Sequence, residues 1–229
     1  MGERITFASN GHTCSGYLAI PSGGSGPGVV VIQEWWGLVP HIEDVCDRFA
    51  AEGFTALAAD LYHGETTTEP DEAGKRMMAL NIDVAGQDMS GAVSWLLGSE
   101  HTSGSSVGAV GFCMGGGLAI HLAAIRPEVT AVAAYYGVIP GPWPQARPDF
   151  GRIRARVLGH FAEKDGFFNH DAVDPMEQRL RDAGVDVDFH WWPGVDHAFF
   201  NDTRPDVHDA ETSRRTWELT VQFLHQNLD

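Results

Sequence analysis

Five short runs in this chain, VVVIQ at 29–33, FTALAA at 54–59, VGAVGF at 107–112, TAVAAYY at 130–136 and ARVLGHF at 155–161, carry almost no polar side chains. A strand this apolar on both faces has to be covered on both faces, which is the situation of a parallel sheet flanked by helices. Between the runs the apolar spacing changes to that of helices. Ile42, Val45, Cys46, Phe49 and Ala50 mark one over 42–52, and Met89, Ala92, Val93, Leu96 and Leu97 another over 86–97. A third is expected over 114–125. A fourth opens at Asp174, where Asp-Pro-Met-Glu combines a cap, a first-turn proline and a capping-box glutamate. A closing helix carries Trp217, Val221 and Leu224 on one face. With a last strand at 187–192 the order is β-α-β throughout, and an amino-terminal hairpin is expected from strands at 4–7 and 14–20 around the Asn10-Gly11 turn signal. The expected class is α/β: a doubly wound, mostly parallel sheet of about eight strands with an antiparallel hairpin at its start. Loops are expected at 64–71 and, from its Pro and Gly content, at 136–152. A chain of 229 residues suits one such domain over 1–229.

The first central run ends abruptly in Glu34-Trp35-Trp36-Gly37. In an open α/β sheet, the carboxyl ends of the strands are where ligands bind. Glu34 is therefore either a solvated loop acid or part of a site. The sharpest local signal is Gly111-Phe112-Cys113-Met114-Gly115, a G-x-C-x-G sequence between an expected strand and an expected helix. That is the setting of a nucleophile elbow, a tight bend that holds its central residue in a strained conformation and leaves no room for side chains two positions either side. The helix amino terminus behind it favours a thiolate and offers N–H groups to an oxyanion. The bland alternative is a small cysteine packed under a helix.

Chain order adds weight to the chemical reading. An elbow nucleophile of this type needs an acid and then a histidine, on loops after later strands. The run 155–161 leads into Ala162-Glu163-Lys164-Asp165-Gly166, and 187–192 leads into Pro193-Gly194-Val195-Asp196-His197. Among the eleven histidines, His160 and His190 lie inside strands and His170 follows the acid loop too closely, which leaves His197. Asp165 is the matching acid, its alternative a turn residue before Gly166. Asp196 adjoins His197 and points elsewhere. Strands 28–33 and 107–112 are expected to emerge side by side, bringing Glu34 towards Cys113. The backbone N–H groups of Met114 and Trp35 are the candidate oxyanion donors.

Taken together, VVVIQEWWGL, GFTALAADLYHG, VGAVGFCMGGGLA, HFAEKD and PGVDHAFFND, in this order, resemble the dienelactone hydrolases (carboxymethylenebutenolidases) of the α/β-hydrolase fold. The resemblance implies a Cys113–His197–Asp165 triad with Glu34 as an auxiliary carboxylate that helps generate the thiolate. It implies hydrolysis of an enol lactone to an open-chain keto acid through a thioester, with no metal or organic cofactor. Members acting on dienelactone hold the substrate carboxylate with arginines. Here Asn201 stands near one such place, Arg204 lies further on, and Arg76 is the remaining candidate. Trp36, Arg76 and Phe199 are the candidate substrate-binding residues, with Trp35, Met77 and Met78 as further pocket or packing residues. Rival readings are a broader carboxylesterase, thioesterase or lactonase, and a non-catalytic small-molecule-binding module.

The 31 acidic and 15 basic side chains give a net charge of −16, which repels a phosphate backbone and argues against nucleic acid as a partner. No apolar run approaches the ~20 residues needed to cross a bilayer. Three scattered cysteines suit a reducing compartment, and a charged amino terminus without a signal-like stretch points to the cytoplasm. The oligomeric state is not legible in the sequence.

Overall fold

A computed structural model describes residues 1–229 except Asn10, Gln145 and Asp229. Eight strands form one sheet in the order β1-β2-β4-β3-β5-β6-β7-β8. The hairpin of β1 (Glu3–Ser9) and β2 (His12–Ala19) is antiparallel and joins antiparallel to β4 (Thr55–Ala59). Of the expected Asn10-Gly11 turn, Asn10 lies outside the described residues, while Gly11 has φ +95° and Ser9 pairs with His12. The remaining strands, β3 (Gly26–Ile32), β5 (Thr102–Phe112), β6 (Val129–Tyr135), β7 (Arg156–Ala162) and β8 (Val187–Trp192), run parallel.

Both faces are covered, as the apolar runs require. Helices α3 (Ile82–Gly98), α4 (Met114–Ile125) and α5 (His170–Asp182) pack on one face around Met89, Leu118 and Met176. Helices α1 (Pro40–Ala51) and α6 (Ala210–Asn227) pack on the other around Phe49 and Leu224. Cys46 is fully buried there, and burial followed by the nearby charges of Asp47 and Glu43 holds its thiol well above the ordinary range. It is a packing residue.

The structure corrects three local expectations. A helix absent from the sequence reading, α2 (Pro70–Ala79), occupies the end of the expected 64–71 loop and the segment after it. Only Ala73 of it is buried, so it has no apolar stripe to betray it. Helix α3 begins at Ile82 rather than 86, capped by the Asn81 side chain, which accepts from the N–H groups of Asp83 at 3.0 Å and Val84 at 3.2 Å. Helix α5 begins a turn before Asp174, so Pro175 lies inside it. Val173, Met176 and Leu180 are its buried stripe, and His170 stacks on Trp191 at 3.7 Å between ring centroids, so packing outweighs the one backbone hydrogen bond that a proline forgoes.

Between β7 and α6 a buried polar cluster fixes a neutral imidazole. The Trp192 indole N–H donates to His160 Nδ1 at 3.3 Å, which leaves Nε2 to donate to Thr220 Oγ1 at 3.1 Å; Thr220 in turn meets the Tyr135 hydroxyl at 2.8 Å. Burial, helped by His190, pushes the His160 pKa down to about 3. The unfolded chain therefore takes up a proton near pH 6.5 that the folded chain refuses, so this group lowers stability as pH falls from about 6.5 towards 3, at about 1.4 kcal/mol per pH unit. Urea unfolding of the wild type and His160→Gln between pH 7 and pH 4 is expected to show this slope only in the wild type. Equal slopes would contradict it.

Candidate active site

Register decides which residues meet. Ile32 pairs with Gly111, Phe112 with Tyr135, Tyr135 with His160, and Ala162 with Trp192. The residues just beyond these pairs, Glu34, Cys113, Tyr136, Asp165 and His197, therefore come from neighbouring strands along one edge of the sheet.

Cys113 sits at the bend between β5 and α4 with φ +56° and ψ −121°, a conformation costly for any residue with a Cβ. The flanking glycines make it sterically feasible. A Cβ at 111 would overlap the Gly115 carbonyl, and one at 115 would run into the carbonyls of Ile32 and, at 2.6 Å, Gln33. Gly137 is needed too, because a Cβ there would overlap the Cys113 carbonyl oxygen. Among the described residues, the N–H groups of Met114 and Trp35 have no protein acceptor, which leaves both free for a developing oxyanion.

His197 Nδ1 lies 2.7 Å from Asp165 Oδ2. The other oxygen of Asp165 accepts from the N–H groups of Phe167 at 2.7 Å and Phe168 at 3.0 Å, so the carboxylate is fixed at both ends. Burial opposes its ionisation, but the hydrogen bond and charge of His197 and the two N–H groups outweigh it and hold Asp165 below the usual carboxylate range. For His197, burial disfavours the charged form. The charge of Cys113, the hydrogen bond to Asp165 and a hydrogen bond to Cys113 overcome it, holding the imidazole above its ordinary range. With Nδ1 engaged by Asp165, Nε2 is the nitrogen left for another partner. Asp196 is exposed and accepts from the His197 backbone N–H at 2.7 Å.

Glu34 is 1% exposed, not a solvated loop acid. Its Oε2 accepts from Asn201 Nδ2 at 2.7 Å, and its Oε1 faces the Tyr136 hydroxyl at 3.5 Å. The Asn201 amide cannot flip without loss, because Thr203 donates to its Oδ1 from both the backbone, at 3.1 Å, and the hydroxyl, at 2.6 Å. Tyr136 was not singled out from the sequence. Its ring lies 5.0 Å from that of His197, and burial, then the charges of Glu34 and Cys113, push its phenol well above the ordinary range. Its place directly after a strand beside β5 was the available signal. Backbone strain gathers here: three of the four described non-glycine residues with positive φ are Cys113, Tyr136 and Ala198.

The candidate substrate-binding residues fare differently. Trp36 lines a cavity of about 450 Å³ that also has Asn201 in its wall. Arg76 is tied to Glu65 and, at 3.1 Å, Glu72, in a separate cavity of about 270 Å³ beside Tyr62. Phe199 is fully buried against Tyr136, 5.3 Å between rings, so it belongs to the packing beneath the site rather than to its open face. Met77 packs against the core, and Met78 is 61% exposed.

An eight-stranded α/β sheet with an antiparallel hairpin at its start, a strained strand-to-helix bend at Cys113, and Asp165 and His197 on the loops after β7 and β8 fits the α/β-hydrolase fold. Residues 14–228 match the dienelactone hydrolase family, and the chain belongs to it. It is similar to Protein usf of Aquifex pyrophilus, 39% identical over 236 residues and covering 100% of both chains. Two solved structures share the fold. One is a dienelactone hydrolase-like promiscuous phosphotriesterase, P91, from metagenomic libraries, with TM-score 0.89, 24% identity, and 100% of this chain and 99% of that one covered. The other is a dienelactone hydrolase from Anabaena variabilis, with TM-score 0.71, 22% identity and the same coverage. Membership makes this protein a hydrolase of the lactone or ester type acting on a small molecule. No helix among the described residues is long and apolar enough to cross a membrane.

Two outcomes check the geometry. Gly115→Ala is expected to destabilise the fold by at least about 2 kcal/mol, while Gly98→Ala, with nothing within 4 Å, changes it by under about 1 kcal/mol, measured by urea unfolding. In Cys113→Ala the charge that most raises the His197 pKa is gone, so an NMR titration should find that pKa lower than in the wild type; an unmoved pKa would separate the two side chains.

Proposed function

We propose that the protein hydrolyses an ester or lactone through a thioester on Cys113. The observation that carries this is the His197–Asp165 hydrogen bond at 2.7 Å, on the loops next along the sheet edge from a cysteine held at φ +56°. In this scheme His197 holds the thiol proton and Cys113 Sγ attacks the carbonyl carbon. The carbonyl π electrons move to oxygen, where the N–H groups of Met114 and Trp35 receive the charge. On collapse the C–O bond breaks and His197 returns its proton to the leaving oxygen. Water then attacks the thioester as His197 takes its proton, and the thiolate departs with the acid as product. Asp165 orients the imidazole and stabilises its charged form. Glu34 is the auxiliary carboxylate beside the thiol, its position fixed by Asn201 and Tyr136. For an enol lactone the same steps open the ring, and the enol released becomes a ketone. A thiolate suits such activated leaving groups better than an unactivated amide. No step calls on a metal or organic cofactor.

A 4-nitrophenyl ester assay tests this. Cys113→Ala is expected to lose about a thousandfold or more in kcat/KM while unfolding at the wild-type temperature, and intact-mass spectrometry of quenched wild type is expected to show one acyl group on Cys113. Turnover that survives in Cys113→Ala would remove the nucleophile. A protein that binds esters without cleaving them would be a binding module.

A further inference from the structure

Among the described residues one aromatic ring is exposed, that of Phe167 on the loop after β7, at 69%. Exposure alone says little about an apolar side chain; the position of this one gives it a use. Its backbone is fastened. The Phe167 N–H donates to Asp165 Oδ1 at 2.7 Å and the Phe168 N–H to the same oxygen at 3.0 Å, so the loop is tied to the carboxylate that holds His197. The Phe167 ring stands edge-on against the imidazole, 5.4 Å between centroids and inclined at 62°. Two further rings lie against His197: Tyr136, at 5.0 Å, is fully buried, and Phe168, at 5.6 Å, is half-buried. Phe167 is thus the aromatic neighbour that His197 shares with solvent.

In the reaction proposed above, the leaving oxygen takes its proton from His197, which requires that oxygen to lie within hydrogen-bond reach of the imidazole. The released half of the ester is thereby placed beside His197, and the atoms just beyond its oxygen fall next to the Phe167 ring. We propose that Phe167 is a specificity-determining residue that selects substrates by the alcohol or phenol they release, favouring a flat apolar group on the ester oxygen; this rests on the hydrolase reading above. Such a group covers the exposed face of the ring and gains an aromatic contact with it. The contact ends when the alcohol or phenol departs. It therefore acts on formation of the acyl-enzyme rather than on its hydrolysis.

Two ester pairs separate the halves of the substrate: phenyl and trifluoroethyl acetate differ in the released group, phenyl acetate and phenyl hexanoate in the acyl group. Phe167→Ala is expected to lower the phenyl-to-trifluoroethyl ratio of kcat/KM by about tenfold and to keep the acetate-to-hexanoate ratio within about twofold of the wild type. Phe167→Tyr keeps the ring, and is expected to hold the first ratio within about twofold. Because the side chain is exposed, neither variant removes core packing. In single turnovers, Phe167→Ala is expected to slow acetylation by phenyl acetate about tenfold and hydrolysis of the acetyl-enzyme far less, since the phenol has already gone. A ring that only steadied His197 would slow both steps alike. Equal slowing of the two steps, an unmoved phenyl-to-trifluoroethyl ratio, or a shifted acyl ratio overturns the proposal and leaves the hydrolase reading standing. Failure of the wild type to cleave any of these esters overturns both.

Discussion

The close approach of backbone to backbone around Cys113 is the constraint on which the rest of the edge depends. Helix α4 starts hard against the ends of β3 and β6, and only glycines at 111, 115 and 137 let the carbonyls of Gly115, Ile32, Gln33 and Cys113 come so near. That proximity forces the cysteine into its positive φ. The strain is held by the dense aromatic packing underneath, where Phe112, Tyr135, Tyr136, Phe199 and Phe200 contact one another at 4.7 to 6.5 Å between centroids. A cramped turn over a soft base would relax; over interlocked rings it does not.

Electrostatics at this edge follow from which groups have partners. The Asp165 carboxylate is bonded at both oxygens and takes charge readily. Against the cost of burial, Cys113 and Asp165 hold the His197 imidazole above its ordinary range. Burial, then the charges of Glu34 and Cys113, hold the Tyr136 phenol well above its ordinary range. Neighbouring strands thus present titratable groups pushed in opposite directions, a pattern typical of sites that move protons. His160, one strand away and equally buried, shows the contrast: its two nitrogens meet an indole N–H and a hydroxyl, and burial, helped by His190, holds it neutral.

Much of this was legible in the residues. Runs free of polar side chains announced parallel strands, and the order of the elements placed Cys113, Asp165 and His197 after the right ones. What escaped had no local signature. Helix α2 is polar nearly all round, so periodicity passes over it. Pro175 looks like a helix start, yet the buried stripe beginning at Val173 decides where α5 begins. Phe199 is apolar whether it lines a cleft or fills a core, and only the neighbouring rings say which. Arg76 reads as a free cation until Glu65 and Glu72 are seen beside it. Tyr136 and Asn201 act on Glu34 across 102 and 167 positions, distances at which a sequence without its fold gives no hint of contact.

Those separations bear on the chain's life during synthesis. The thiol emerges when half the chain is made, the acid and then the imidazole follow well after it, and the amide that steadies the Glu34 carboxylate comes later still. Until the closing strand docks, the sulfur has neither the imidazole nor its acid nearby. On the proposed mechanism, reactivity is therefore withheld from every half-made copy on the ribosome, and is delivered only once all three side chains have met.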